Sequence, residues 1–429
     1  MIDRKAFRKN YEQMQIALAR RNSTLVEEGS AWGRARALDF QQRDLKSRLE
    51  QLLSERNSVS KVIGQKKAKG DDCSAEMLFM ANVSKEVKAI ESDAKEAETL
   101  FADILMEIPN PPHDSVPFGL SEEDNVELRR WGQPRTDEVP AHWDIGESLG
   151  ILDFEAGVRL AGSRFSVLRG MGARLERALM QFMLDMHSDQ HGYEEVWVPA
   201  LANRKTMTGT GQLPKFEEDL YRIADEDLFL IPTAEVPVTN LYQDMILNLD
   251  RLPIRHCAYT PCFRKEAGSA GRDVRGMIRQ HQFDKVELVQ LVHPDQALTA
   301  LAELTSHAEA ILQALELPYR VVDLCTADIG FSSQKTVDLE VWLPSQKVYR
   351  EISSCSSFGQ FQGQRAGIRY RNELGKPDAV ATLNGSGLAI GRTLVALLEN
   401  GWQTDGSVLI PTSLHQYLGG RERIYPFNQ

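Results

Sequence analysis

Between Met80 and Ile108 an apolar or small side chain recurs at alternating steps of three and four: Met80, Val83, Val87, Ile90, Ala94, Ala97, Phe101, Ile104 and Ile108. This spacing is the a/d seam of a coiled coil. Leu38, Leu45, Leu49, Leu52, Val59 and Ile63 repeat it less strictly upstream, and residues 64–72 between the two runs read as a polar turn. The pattern predicts two antiparallel helices over about residues 31–108. At 1.5 Å per residue they form an arm roughly 50 Å long. Pro109, Pro111 and Pro112 stop the second helix, and residues 109–119 read as a linker.

Beyond the linker the pattern changes. Leu175, Ala178, Leu179, Phe182, Met183 and Met186 lie on one face of a helix that His191-Gly192 ends. A strand-like run from Tyr193 to Val198 stops at Pro199. Further strands are predicted near 228–231, 258–266, 280–292, 319–324, 337–343 and 347–353, with helices near 295–316 and 388–400. Strands in runs with helices set apart predict an α+β fold on an antiparallel sheet. The domains are thus an N-terminal unit, 1–108, the linker, and a larger unit, 120–429.

Charge divides the arm. From Arg34 to Lys69 the basic residues are Arg34, Arg36, Arg43, Lys46, Arg48, Arg56, Lys61, Lys66, Lys67 and Lys69, against Asp39, Asp44, Glu50 and Glu55. From Asp71 to Glu107 only Lys85, Lys88 and Lys95 are basic. One helix is a basic rod in a chain of net charge −11. Such a rod suits a phosphate backbone; it equally suits pairing with the acidic helix. The five cysteines are scattered without a C-x-x-C pair, which argues against a zinc site or a disulfide framework. No run of eighteen apolar residues suggests a membrane span, and MIDRKAFRKN does not begin a signal peptide, so a cytoplasmic location is expected.

The stretch with most chemistry is CFRKEAGSAGRDVRGMIRQHQFDKVELV, from Cys262 to Val289. Alternation puts Arg264 and Glu266 on one face of its first strand, and His281, Phe283, Lys285 and Glu287 on one face of its second. An arginine fork suits phosphate, a phenyl ring suits a purine, and a glutamate accepts from an ammonium or hydroxyl. Gly268, Gly271, Arg272, Arg275 and Gly276 in the loop suit a polyphosphate or an RNA end. A solvated hairpin with surface ion pairs has the same composition.

These residues resemble motif 2 of the class II aminoacyl-tRNA synthetases in its seryl form. The helix and strand around His191 to Pro199 resemble motif 1, and LNGSGLAIGRTLVALLEN, from Leu383 to Asn400, resembles motif 3. GTGQLPKF, IPTAEVPVTNL and YREISSCSSFGQFQ are further seryl-type markers. The resemblance implies a class II antiparallel catalytic domain behind a tRNA-binding coiled-coil arm. It implies activation of L-serine by ATP to seryl-adenylate and transfer to tRNA(Ser), with tRNA(Sec) as a second acceptor where one exists. Motif 1 implies a homodimer.

In the family, the arginine matching Arg264 holds the α-phosphate and the one matching Arg392 the γ-phosphate. The ring matching Phe283 stacks on adenine and the glutamate matching Glu266 meets its amino edge. Lys265, Gln280, Ile352, Ser353 and Ser354 complete the nucleotide set by resemblance. Glu351 and Ser354 are the implied Mg2+ ligands, and strand alternation puts Glu351 on the face of Ser353. Serine recognition maps onto Thr233, Ala234, Glu235, Glu287, Asn384 and Ser386 beside Arg264, with Thr233 and Glu235 expected on one strand face. His187, His191 and His281 are expected to be structural, since the reaction needs no general base there.

Lys265 stands where the family commonly has serine, and Gly363-Gln364 where it has alanine and arginine. Two alternatives follow: a paralogue with altered inhibitor tolerance, or a ligase loading a small amino acid onto a carrier protein.

Overall fold

The computed structural model describes residues 1–266 and 275–426 and divides the chain into two compact units, one built from 4–109 and one from 110–429.

The N-terminal unit is dominated by two long helices, Ala31–Lys69 and Ser74–Glu107. Ser30 starts the first by accepting from the Gly33 amide, and Gly70, at φ +79°, ends it in a left-handed cap. Every predicted seam position on the second helix is buried or half-buried, from Met80 to Ile108. Leu52 packs between Val83 and Val87 in the middle of the arm. The predicted turn at 64–72 is too long. The first helix continues through Gly64 to Lys69, and only Gly70–Cys73 turn the chain. Gly64 is exposed, where glycine weakens a helix without breaking it. Lys66, Lys67 and Lys69 sit at the helix C-terminus, where the dipole favours cations, and Lys66 pairs with Glu76 across the turn. Two short helices, Arg4–Lys9 and Tyr11–Arg21, have no counterpart in the sequence reading. They close an aromatic core of Phe7, Trp32 and Phe101.

The larger unit is built on one eight-stranded sheet. Its strands in chain order are β1 (Val126–Trp131), β2 (Glu194–Glu195), β3 (Ile254–Phe263), β4 (Gln282–Val292), β5 (Tyr319–Asp323), β6 (Lys335–Leu343), β7 (Val348–Gly359) and β8 (Ala381–Ala389). Their order in space is β1-β5-β6-β7-β8-β4-β3-β2. All neighbours are antiparallel except β2 beside β3. Helices Met171–Asp189, Ala297–Ala314 and Ile390–Gly401 cover one face and bury Leu179, Leu304 and Leu394 against it. The opposite face of the central strands is left for the site. The predicted linker is fastened to this unit: the Asn110 side chain donates to the carbonyls of Ser332 and Phe358. None of the described helices is long and apolar enough to cross a membrane.

Candidate active site

The hairpin β3–β4 supplies one wall. Cys262 pairs with Phe283, Thr260 with Lys285 and Ala258 with Glu287, which sets the side chains of Phe283, Lys285 and Glu287 on one face. The strand stops at Phe263, earlier than predicted. Arg264 still continues the ladder by donating its amide to the His281 carbonyl. Its guanidinium lies 5.1 Å from the centroid of the Phe283 ring. Glu266 does not reach the site by strand alternation. It has left the strand and turned to φ +53°, where its carboxylate meets Arg279 at 2.7 Å. Gly268, Gly271 and Arg272 lie outside the described residues.

The second wall is β7, and here alternation fails. Leu339 pairs with Ser353, but the next residue, Glu340, pairs with Glu351, so Ile352 is an extra residue in a bulge. A bulge shifts the parity of the strand by one. Glu351 therefore shares the open face with Ser354 and Ser356, while Ser353 is buried and donates to the Ser386 carbonyl at 2.6 Å. The expectation that Glu351 and Ser353 share a face is wrong, and Ser353 is a support for β8 rather than a lining group. Lys265 is exposed beyond the Tyr221 ring and does not line the cavity either.

These walls enclose a cavity of about 680 Å³, lined among others by Thr233, Glu235, Arg264, Glu266, Glu287, Glu351, Ser354, Asn384 and Ser386. A narrower cleft of about 60 Å³ shares Arg264, Glu266 and Glu351 with it and adds Gln280, Phe283, Ile352 and Arg392. Side chains separated by more than a hundred residues thus converge. Ala234 is the exception on the serine side. Its side chain is fully buried in the core behind the cavity. Thr233 and Glu235 converge through a helix start, not a strand face. Glu235 begins the short helix Glu235–Thr239, and its amide donates to Thr233 Oγ1.

The two buried carboxylates have different surroundings. Glu287 has three partners: it pairs with Lys285 and accepts from Thr233 Oγ1 at 3.2 Å and Asn384 Nδ2 at 2.9 Å. Glu235 accepts from Gln362 Nε2 at 2.6 Å, and Gln362 in turn accepts from Thr382. Burial, reinforced by the nearby Glu287, pushes the Glu235 carboxyl up to about 7. The sequence places Lys285 on the face of Phe283 and Glu287 without giving it a role, and gives none to Arg279 or Gln362. Gln362 is buried and bonds Glu235 from a separate short helix, Phe361–Ala366, a meeting that no local spacing reveals.

Behind Glu351 lies Asp338 on β6. It is buried, its carboxyl is held well above the usual range by burial and by Glu351, and among the described residues its Oδ1 has no hydrogen-bond partner. The histidines sit as expected of structural groups. His187 Nε2 bonds the Gly387 carbonyl and burial lowers its pKa to about 3, and His281 bonds the Arg264 carbonyl.

The family described as "Seryl-tRNA synthetase N-terminal domain" matches residues 1–112, and "tRNA synthetase class II core domain (G, H, P, S and T)" matches 215–401. The chain is 56% identical over 427 residues to the serine–tRNA ligase of Trichlorobacter lovleyi, covering 99% of this chain and 100% of that one. It is 55% identical over 422 residues to that of Acidithiobacillus ferrooxidans, covering 98% and 99%. The crystal structure of seryl-tRNA synthetase from Pyrococcus horikoshii complexed with ATP superposes with a TM-score of 0.95 at 34% identity, over 100% of both chains. That of the cytoplasmic serine–tRNA ligase of Naegleria fowleri with AMP gives 0.91 at 27% identity, over 100% of this chain and 99% of that one. Neither the carrier-protein alternative nor the tolerant paralogue finds support in these matches.

Proposed function

The chain belongs to the seryl-tRNA synthetases, ATP-dependent serine–tRNA ligases of class II, and from that premise we propose that the cavity and its cleft bind serine and a bent ATP side by side. The observation that carries this is the convergence of Arg264, Glu351 and the buried Glu235–Glu287 pair in one cavity, with Phe283 and Arg392 in the adjoining cleft.

The reaction asks for positioning and charge stabilisation, with no protein nucleophile. A serine carboxylate oxygen attacks the α-phosphorus, the bond to the bridging oxygen breaks, and pyrophosphate leaves. The terminal adenosine hydroxyl of tRNA then attacks the adenylate carbonyl, and AMP leaves. Arg264 holds the α-phosphate and the serine carboxylate, its guanidinium 5.1 Å from the Phe283 ring centroid. Phe283 carries the adenine, with Glu266 and Gln280 at its rim and the Ile352 backbone beneath. Arg392 holds the γ-phosphate. Glu235 and Thr233 take the serine ammonium. Glu287, Asn384 and Ser386 bond its hydroxyl. A substrate lacking that hydroxyl forfeits these bonds inside a buried polar site, which is how a small site discriminates.

Besides the Arg392 guanidinium, the groups around Glu351 are hard oxygens, those of Ser354 and Asp338. This donor set fits Mg2+, which takes one or two protein carboxylates and leaves its other positions to phosphate and water. Glu351 and Ser354 would hold it. When bound it supplies positive charge to the phosphate oxygens.

The arm (1–108) is the tRNA-binding part in this reading, serving tRNA(Ser) and, where a cell has one, tRNA(Sec). Of the ten basic residues on its first long helix, Arg34, Arg48 and Lys66 pair with Glu107, Glu86 and Glu76 on the other helix. Arg36, Lys46, Arg56, Lys61, Lys67 and Lys69 have no carboxylate partner among the described residues and remain available for phosphates. Residues 109–119 link it to the catalytic part, 120–429. Trp197, 88% exposed beside the short edge strand β2, supports a homodimer interface there. Five buried free cysteines suit a reducing cytoplasm.

The test is serine-dependent ATP–pyrophosphate exchange against all twenty amino acids, followed by charging of total tRNA with the winner. Exchange stimulated by serine and charging of serine acceptors are expected. Stimulation by another amino acid overturns the reading.

A further inference from the structure

A second cavity, of about 400 Å³, lies within the N-terminal unit, between the segment 7–13 and the long helix at residues 36–43. Its lining carries four cations, Arg8, Lys9, Arg36 and Arg43, against two carboxylates, Glu12 and Asp39. Asp39 is 4% exposed and already neutralised: Arg8 Nε and Arg43 Nη2 each stand 2.5 Å from one of its oxygens.

Arg36 is the unusual member. Its guanidinium lies 4.7 Å from the centroid of the Tyr11 ring and 5.8 Å from that of Phe40. Tyr11 is itself stacked on the buried Trp32, with ring centroids 4.8 Å apart and planes 26° from parallel. Arg36 therefore rests against the Tyr11 ring, which Trp32 fixes in place, yet it makes no hydrogen bond or ion pair among the described residues. A guanidinium ordered by ring contacts with its donors unused is preorganised for a phosphate. Phe40, beside it on the helix, is 57% exposed, a large apolar ring for a surface position. An exposed ring next to an uncommitted arginine and further cations is the pattern of single-stranded nucleic-acid binding. The backbone is held by charge and a base stacks on the ring.

We propose that Arg36 and Phe40 form a nucleotide subsite for the bound RNA, with one phosphate on Arg36 and one unpaired base on Phe40. The inference rests on the reading that the N-terminal unit binds tRNA, and it names a place on that unit where an unpaired nucleotide is captured. The other unpaired cations of the same helix, Lys46 to Lys69, have no such ring beside them and would follow the backbone alone.

The test uses the full-length protein. Arg36→Gln, Phe40→Ala and the double variant are compared with wild type in tRNA binding across a salt series, in KM for tRNA, and in tRNA-independent ATP–pyrophosphate exchange. Thermal melting reports on folding. Each single variant is expected to weaken tRNA binding about tenfold, the effect of one stacked base or one strong phosphate contact. Arg36→Gln alone should also reduce the salt slope by about 1. Exchange and melting temperature should stay as in wild type, because both side chains are exposed. Lys46→Glu/Lys61→Glu serves as the control for the rod. If that control weakens tRNA binding and the pocket variants bind like wild type, the subsite is refuted and the arm reading stands. If neither set changes binding, both fall. A lowered melting temperature with unchanged tRNA affinity would show that the rings and Arg36 only clamp the short helices, and would likewise overturn the proposal.

Discussion

Arg392 Nη1 stands 2.7 Å from the main-chain oxygen of Glu351 and 3.3 Å from its carboxylate, so the arginine at the start of the Ile390–Gly401 helix is anchored on the bulged strand β7. Nη1 and Nε are held by the main-chain oxygens of Glu351 and Ile278, and the guanidinium borders the cleft. Lysine at this position keeps the charge and loses the fork. Arg392→Lys is expected to raise KM for ATP about tenfold and to lower the exchange rate at saturation by roughly 10–100-fold. KM for serine should be nearly unchanged. A steady-state exchange assay with each substrate varied separates these outcomes.

Arg264 is asked to hold two anions, and Pro232 O and the Phe283 ring keep it in position. Arg264→Ala should lower serine-dependent exchange by about 10³-fold or more. The side chain is only partly buried and packs against no deep core, so the melting temperature should move by no more than a few degrees. Exchange within tenfold of wild type would remove Arg264 from the reaction.

The arm was legible because its signal is local: a repeat of three and four needs only its own helix and one partner. Its end at Pro109 was equally local. The turn was misread because Gly64, Lys66, Lys67 and Lys69 are turn-like in composition, and the left-handed cap at Gly70 is chosen by the geometry of the hairpin. In the catalytic unit the runs of strand were legible, but parity within β7 was not. A bulge costs one residue and leaves no trace in composition, so Glu351 and Ser353 were assigned to one face when Ile352 breaks the alternation between them. Glu266 shows the same limit, since a left-handed glutamate cannot be read from its neighbours. The convergence of Gln362 with Glu235 depends on segments more than a hundred residues apart meeting through tertiary packing.

The six unpaired cations of the basic helix predict a steep salt dependence of charging that the adenylation step does not share. Counterion release from about six phosphates lowers tRNA affinity by roughly 10³-fold between 50 and 200 mM salt. Excision of residues 46–93, rejoined by a tight turn, leaves the aromatic core at Trp32 and Phe101 intact. Such a protein should form adenylate at the wild-type rate and charge tRNA poorly. Charging that persists in the shortened protein, or a flat salt response in the intact one, would contradict the arm assignment.

Glu235 gives a prediction in pH. Its carboxyl titrates near 7, because burial and Glu287 favour the neutral form more than Gln362, Lys285 and Arg264 favour the charged one. Below that pH it is protonated and cannot pair with an ammonium; above it the carboxylate is available. KM for serine should therefore fall as pH rises through about 7, with little change in KM for ATP. The folding consequence runs the other way. The folded state binds the proton more tightly than an unfolded glutamate at 4.5, so stability falls from about pH 4.5 to about 7 and the full cost remains above. That cost is on the order of 3 kcal/mol for the free protein, and bound serine offsets it. Glu235→Gln should flatten the pH profile, raise KM for serine at pH 8 and increase the melting temperature there. Gln362→Leu provides the complementary test. It removes the strongest group favouring the carboxylate, so the inflection in KM should move to higher pH while the shape of the profile is kept. An inflection that stays in place in Gln362→Leu would mean that another group governs serine binding.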